Sequence, residues 1–280
     1  MTQRRSPFVT AWLIFGFVFL YGPILVMMFY SFNASRLATV WGGFSTRWYG
    51  ELWHNTLVID AAVLSIKIAA GSATVATVFG TMAGIALARF GRFRGRVLFS
   101  GMVTAPLVMP EVITGLSLLL LFVALEDAIG WPAGRGMLTI MIAHITFCMA
   151  YVAVIIQSRL TQIDESLEEA AMDLGSRPLR VLMDITVPLL VPAMVSGWLL
   201  AFTLSLDDLV IATFTSGPGA STLPMVIFSK VKLGITPDIN ALATIIIVVV
   251  TLIVVGGTVI MNRVQARHMA DSQRAVADNA

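Results

Sequence analysis

Residues 168–188 read EEAAMDLGSRPLRVLMDITVP and form the longest polar interruption between apolar spans in the second half of the chain. Around the start of this stretch, apolar residues recur at helical spacing, with acidic residues on the opposite face: Leu160, Ile163, Leu167, Ala170, Ala171 and Leu174. The pattern predicts a short helix that is capped by Asp164 and stops at Gly175.

A second short helix is predicted directly after this turn. Ser176 is placed to cap it, and Pro178 falls in its first turn, where a backbone donor is not needed. We expect this helix to run to about Asp184 and to end before Pro188, because proline disrupts a helix interior. Two capped helices between membrane spans indicate a docking element. The alternative is an ordinary amphipathic loop that lies on the bilayer.

The composition is that of a polytopic membrane protein, because 58% of the 280 residues are hydrophobic and 12% are charged. Cys148 is the one cysteine, so it can form no intrachain disulfide. The sequence has no Walker-type phosphate loop, no HExxH or GxSxG motif and no metal-ligand cluster. We therefore predict no catalytic residues, no metal site and no cofactor of its own.

Six apolar stretches are long enough to cross a bilayer, which takes roughly 20 residues, and they predict an all-α protein with six transmembrane helices. The stretches are residues 11–32, 65–88, 97–123, 137–158, 188–214 and 241–261, within a transmembrane domain at 11–262. They leave an N-terminus at 1–10, a loop at 159–187 and a tail at 263–280. The first stretch is too long for a signal peptide and has no convincing cleavage site after it.

The positions of the basic residues assign the two sides of the membrane. Twelve of the 18 lysines and arginines lie in the termini and in the loops after the second and fourth spans, whereas five lie in the opposite loops. The positive-inside rule therefore places both termini and the loop at 159–187 in the cytoplasm. The basic turn at 89–96 could suggest nucleic acid, but it is more simply a topology determinant that contacts anionic lipid. We predict no nucleic-acid partner.

The cytoplasmic loop also carries a motif of fixed spacing. Its residues are Glu169, Ala170, Ala171, Gly175, Ile185 and Pro188, with Val187 at a position where leucine is usual. This spacing resembles the EAA motif of permease subunits of ATP-binding-cassette importers, which have the type I, MetI-like fold. In that family the loop is a coupling helix that sits in a groove of the ATPase subunit. The resemblance implies that coupling to the ATPase involves Glu168, Glu169, Ala170, Ala171, Gly175, Ile185 and Pro188.

One carboxylate of the predicted third span indicates a polar cavity. Glu111 follows Pro106 and Pro110 and falls near the middle of that span. A carboxylate at this depth is costly unless it is hydrated, paired or protonated. The two prolines would bend the helix and free backbone carbonyls at the same level. The alternative is a protonated or helix-capping glutamate in a packed bundle.

Asp207 and Asp208 are adjacent in the fifth span, so their side chains differ by about 100° around a helix. At most one of them faces a central pathway, and the other is expected to take hydrogen bonds between helices. With Glu126 and Asp127 in an outer loop, the intramembrane acids form a negative track that attracts a cation and repels sulfate, phosphate or molybdate. We assign Glu111, Asp207 and Asp208 to the substrate pathway.

Three other features receive structural interpretations. His144, which has no acidic residue in its own span, is expected to be a hydrogen-bonded packing residue. Lys67 lies near the outer end of the second span and can extend to the membrane interface. The outer loop at 33–60 holds three tryptophans, which predict a short interfacial helix.

Two further stretches of sequence assign the resemblance to a narrower group of permeases. Residues 205–225, SLDDLVIATFTSGPGASTLPM, and 237–244, PDINALAT, are similar to the corresponding stretches of polyamine importer permeases, of the putrescine type first and the spermidine type next. The resemblance runs from about Pro7 to the last span. It implies an inner-membrane permease that works by alternating access. The implied partners are a second homologous permease chain, two ATPase subunits that bind the ATP, a periplasmic polyamine-binding protein and membrane lipid.

Three alternatives stay open at this point. A self-contained channel or ion-coupled carrier for an organic cation would explain the carboxylates equally well, but it would leave the EAA-like loop unexplained. A scaffold subunit of a sensory complex would tolerate replacement of the intramembrane acids. Within the same family, the cargo could be spermidine or another cation.

Overall fold

The computed structural model describes residues 7–36, 40–234, 237–252 and 255. These residues form helices and loops, together with one isolated bridge between Asn33 and Phe44. The predicted all-α class is therefore confirmed. Residues 1–6, the end of the predicted sixth span and the tail at 263–280 lie outside the described residues.

The helices, numbered in chain order, are α1 (Pro7–Tyr30), α2 (Arg47–Trp53), α3 (Thr56–Arg89), α4 (Arg96–Val108), α5 (Glu111–Ile129), α6 (Met137–Leu160), α7 (Ser166–Asp173), α8 (Pro178–Val181), α9 (Val187–Asp207), α10 (Val210–Thr215), α11 (Leu223–Leu233) and α12 (Pro237–Leu252). A π-helical turn, Leu182–Thr186, joins α8 to α9.

Five described helical segments are long and apolar enough to cross a bilayer: Phe8–Tyr30, Thr56–Arg89, Glu111–Ile129, Met137–Leu160 and Pro178–Asp207. The predicted third span is divided, because α4 ends before Met109, and Pro110, which has no amide donor, precedes α5. The fifth span begins ten residues earlier than predicted, since α8, the π turn and α9 are continuous. The described part of the sixth span is α12.

The chain separates into two compact units. One contains residues 57–228, and the other contains the described residues before and after that range. In the second unit, the predicted short outer helix is α2. Its Trp48 is buried and donates its indole N–H to the carbonyl of Asn33 at 2.6 Å, which ties the helix to the preceding loop.

The unit at 57–228 is built around α6, which packs against α4, α5, α9 and α10. Glycines let α3 approach α6 closely: a Cβ atom at Gly80 would lie 2.6 Å from Cβ of Val152, and one at Gly84 would lie 2.9 Å from the carbonyl oxygen of Ala153. The core of this unit includes Phe147, Cys148, Val152, Ile156, Leu160, Leu190 and Ile211. Two groups of sequence-predicted residues lie on this framework, one at the loop that contains α7 and one at the breaks before α5 and after α9.

Candidate coupling loop and acidic positions

The first helix of the loop, α7, ends where its sequence predicts, but its N-cap position is Glu165 rather than the predicted Asp164. The amide of Ser166 donates to Asp164 Oδ1 at 3.0 Å, and this bond holds the pKa of the Asp164 carboxyl below its ordinary value. At the other end, Gly175 has a φ of +87°, in the left-handed region that favours glycine.

Two backbone hydrogen bonds close the turn after α7. The amide of Gly175 donates to the carbonyl of Met172 at 2.9 Å, and the amide of Ser176 donates to the carbonyl of Ala171 at 3.1 Å. These are the two bonds of a Schellman motif, which satisfies carbonyls that a helix end leaves without partners. The turn is therefore defined by backbone geometry that a glycine makes accessible.

The second helix of the loop differs from its prediction. Pro178 occupies the first helical position, as expected, but the N-cap position is Arg177, and no side-chain cap bond is found among the described residues there. The prediction that the helix ends near Asp184 is wrong. Instead, the amide of Val187 donates to the carbonyl of Leu182, five residues back, and the helix continues through Pro188 into α9. A π turn widens the helix locally, which accommodates a proline that has no amide donor.

A cluster of charged side chains connects the loop to the end of α3. Arg89, the last residue of α3, donates from Nη1 to Glu165 Oε1 at 2.8 Å and from Nη2 to the carbonyl of Ile163 at 3.2 Å. Its Nε lies 3.3 Å from the carboxylate of Glu168. The hydroxyl of Thr186, in the π turn, donates to the same Glu168 Oε1 at 2.9 Å. Glu168 therefore joins three separate segments of the chain.

The residues assigned to coupling divide into two groups by exposure. Glu169, Ala170, Gly175 and Pro188 are exposed, whereas Glu168, Ala171 and Ile185 are half-buried. Sequence reasoning missed Arg89 and Thr186. No local signal could have found their contacts, because Arg89 is 76 and 79 residues away from its two glutamate partners.

Large apolar side chains beside the turn are exposed. Leu174 is 89% exposed, and Leu179 is 75% exposed. Next to them is a cavity of about 620 Å³, which is lined by Leu174, Gly175, Ser176, Arg177 and Arg180. An exposed apolar patch with a basic rim is typical of a surface that contacts another protein.

The three assigned carboxylates lie at helix breaks in the 57–228 unit. Glu111 is exposed in the first turn of α5, where the helix dipole favours negative charge. Asp207 is exposed at the last position of α9. Glu126 and Asp127 were predicted to lie in an outer loop, but both lie in the last turn of α5, where Glu126 accepts a hydrogen bond from the amide of Gly134 at 3.0 Å. No group of three or more His, Cys, Asp or Glu side chains suited to a metal occurs among the residues that the structure describes.

Asp208 has a different environment from its neighbour, because it is buried. Its carboxylate accepts hydrogen bonds from the amides of Ile211 at 3.3 Å and Ala212 at 2.7 Å, so it caps α10. It also lies 3.1 Å from Nε2 of His144, whose Nδ1 is 2.6 Å from the hydroxyl of Ser205. The structure thus brings Asp208 together with His144, on the facing helix. The assignment of Glu111, Asp207 and Asp208 to a pathway stays a prediction.

Comparison with known proteins supplies the family assignment of the chain. The model of the "Binding-protein-dependent transport system inner membrane component" family matches residues 77–269. The putrescine transport system permease protein PotI of Escherichia coli K12 is 60% identical over 271 residues, which are 97% of this chain and 96% of that protein. The spermidine/putrescine transport system permease protein PotC of Haemophilus influenzae is 44% identical, over 88% of this chain and 93% of that protein.

Solved structures support the same fold. A chain of a bacterial ABC transporter that imports alginate has a TM-score of 0.67 and 19% identity, over 90% of this chain and 94% of that one. A chain of the MetNI methionine ABC transporter has a TM-score of 0.55 and 20% identity, over 75% and 96%. These structures confirm the MetI-like fold, and the sequence relatives together with the family model confirm the expectation of a transport permease rather than an enzyme. The chain belongs to the family of inner-membrane components of binding-protein-dependent transport systems.

Proposed function

We propose that this chain is the permease subunit of an ATP-driven importer that moves a polyamine, putrescine first, from the periplasm to the cytoplasm. The observation that carries the cargo is the 60% identity to a putrescine permease over 97% of the chain. Spermidine is the second candidate, since relatives of the spermidine/putrescine type are 44% and 40% identical.

The proposed assembly contains a second homologous permease chain, two ATPase subunits that bind ATP and a periplasmic polyamine-binding protein. The support for an ATPase partner is the Schellman turn at Gly175 beside exposed apolar side chains. Such a surface suits a hydrophobic groove on a partner, and the exposed Glu169 and Arg177 are available for charge contacts. Both termini and this loop would then face the cytoplasm, as the distribution of basic residues predicts.

The proposed route for the cation uses the two exposed carboxylates, Glu111 and Asp207. Each of them adjoins a helix break, where backbone groups are free to be hydrated if the break borders a water-filled cavity. A diammonium cargo loses hydration when it enters a membrane protein, and carboxylates at such positions replace part of that hydration. The carboxylate of Asp208 is already engaged by two amides and by His144.

The proposed transport cycle depends on a difference in ATP affinity between two states of the importer. Closure of the ATPase dimer around ATP would displace α7, and the helix that runs from Pro178 to Asp207 would carry this displacement across the membrane. ATP must bind the outward-open state more tightly than the inward-open state, because a ligand with equal affinity for both states shifts nothing. The binding protein would deliver its cargo to the outward-open state.

The test is uptake of labelled putrescine and spermidine into proteoliposomes. One set would hold the full assembly with the binding protein and internal ATP, and the other would hold this chain alone. We expect ATP-dependent uptake in the full assembly, with putrescine preferred. Uptake by this chain alone would refute the proposal in favour of a self-contained carrier, and a preference for spermidine would refute the cargo assignment.

A further inference from the structure

The attachment of α7 to the rest of the protein poses a physical problem. The structure describes all eight residues of α7, and none of them is buried. A helix of this length is unstable in isolation, since helices shorter than about 12 residues are marginal in water. Apolar packing alone is therefore too weak to hold α7 in place, and another interaction has to contribute.

The charged cluster around Arg89 supplies that interaction. The Arg89 side chain is 12% exposed, and the Glu168 side chain is 16% exposed, so this ion pair is largely shielded from water. Arginine is always charged, and its planar group has five donors. Here the donors reach Glu165 and Glu168, on either side of the start of α7, and the carbonyl of Ile163 before it.

The second part of the attachment comes from the π turn. Thr186 is buried, and its hydroxyl donates to the Glu168 oxygen that also faces Arg89. In a π turn one extra residue is accommodated before the helix resumes. Without it, Thr186 would be rotated by about 100° around the helix axis and would face away from Glu168. The π turn and the charged cluster thus depend on each other.

We propose that Arg89, Glu168 and Thr186 form a clamp that makes α7 move as one body with α3 and α9. The clamp consists of positioning residues, because they act through α7 rather than on the cargo. Since α9 has 21 residues, a displacement of α7 would be delivered about 31 Å away, at Asp207. Without the clamp, α7 would be attached through its flanking turns, and its displacement would be absorbed there.

The proposal rests on the proposed function for its transport readout, so a second readout is needed that does not depend on cargo. Hydrogen exchange of the α7 amides, measured in the complete importer in nanodiscs, provides it. The variants are Arg89→Gln, Glu168→Gln and Thr186→Val, with the double variant Arg89→Gln/Glu168→Gln. Arg92→Gln, an exposed arginine of the same basic turn, is the matched control for loss of charge.

We expect Arg89→Gln to speed exchange in α7 by roughly tenfold, as loss of a shielded charge-assisted hydrogen bond implies, with α6 unchanged. The effect of the double variant should be smaller than the sum of the two single effects, because both single variants remove the same Arg89–Glu168 interaction. Arg89→Lys, which keeps the charge but not the fork of donors, should give an intermediate rate. Uptake per ATP hydrolysed should fall in the same order, whereas the Arg92→Gln control should be unchanged.

Each of the opposite results would overturn one specific claim. Unchanged α7 exchange in Arg89→Gln would overturn the clamp, whatever happens to uptake. Faster exchange with an unchanged ratio of uptake to hydrolysis would overturn its role in coupling. If the unmodified importer showed no ATP-dependent uptake, the proposed function would fail, and the exchange rates would still support or overturn the clamp.

Discussion

Replacement of Gly175 by valine changes the backbone without creating a clash. Its φ is +87°, and a Cβ atom built there would meet no heavy atom of the described residues within 4 Å. The cost is therefore conformational: a non-glycine residue in the left-handed region costs roughly 1–2 kcal/mol, and a β-branched residue costs more. If the turn relaxes, it loses the two backbone bonds that close it, at Met172 and Ala171.

The expected loss of docking affinity is set by the strain that is present in the docked chain but absent from the free chain. In the free chain the turn can relax, because Gly175 is exposed and no packing opposes the change. Docking to the ATPase would require the valine variant to adopt the strained turn, which costs about 1–2 kcal/mol. This cost weakens the affinity of the permease for the ATPase roughly 5- to 30-fold. The assay is binding of the purified ATPase subunit to this permease in nanodiscs, with ATP-dependent uptake measured in parallel.

The chain offers a matched control for this experiment. Gly95 has the same φ of +87°, and a Cβ there also meets no described heavy atom within 4 Å. Gly95→Val imposes the same strain on a different turn, at the start of α4, and should leave ATPase affinity unchanged. Gly175→Asn should retain most of the affinity, because asparagine tolerates the left-handed region. Equal losses for Gly175→Val and Gly95→Val, or none for either, would refute the argument that the turn is the docking element.

Three other predictions concern the acids and the helix packing. Asp208→Asn should lower the free energy of unfolding by roughly 1–3 kcal/mol, because a cap and a histidine partner are weakened. Asp207→Asn should reduce uptake and leave stability nearly unchanged, and normal uptake in this variant would contradict the acidic route. The Asp164 carboxyl has a pKa below its ordinary value, so its hydrogen bond from the Ser166 amide should persist above about pH 3.9. This bond should be lost as the pH falls through the lower pKa of the folded chain, and amide chemical shifts would follow the loss. Gly80→Ala should destabilise the protein by roughly 1–3 kcal/mol through overpacking of α3 against α6. Gly101→Ala should not, because no described atom is close to that position. Equal melting temperatures of the two variants would contradict the close approach of α3 to α6.

The loop shows what local sequence can and cannot predict. A glycine after an amphipathic stretch and a proline at the start of the next helix are local signals, and both positions are confirmed. The π turn at Leu182–Thr186 was not predicted, because proline usually ends a helix and the sequence does not show that a widened turn would accommodate it. The contacts of Arg89 have no local pattern, since they join residues that are 76 and 79 positions apart.

The adjacent acids show a second limit. Sequence reasoning treats Asp207 and Asp208 as neighbours on one helix and cannot decide which of them faces the bundle. The structure separates them because α9 ends at Asp207, and the backbone of Asp208 is extended, with ψ of 126°. His144 was correctly interpreted as a hydrogen-bonded residue, but its acidic partner lies 64 residues away in the chain. A pattern read within one span could not have identified it.

The two helix breaks share a physical logic that links them to function. Each break places a carboxylate at a helix start: Glu111 lies in the first turn of α5, and Asp208 caps α10. These two helices pack against each other, since a Cβ at Gly115 would lie 2.8 Å from the ring of Phe214 and 3.3 Å from Cα of Ile211. Free backbone amides at a helix start stabilise a negative charge, so an acid is less costly there than within a continuous span. Each break therefore lowers the cost of placing a carboxylate within a span. Of these two, the exposed Glu111 is the one that we assign to the cation route, whereas the buried Asp208 is held by its amide and His144 contacts.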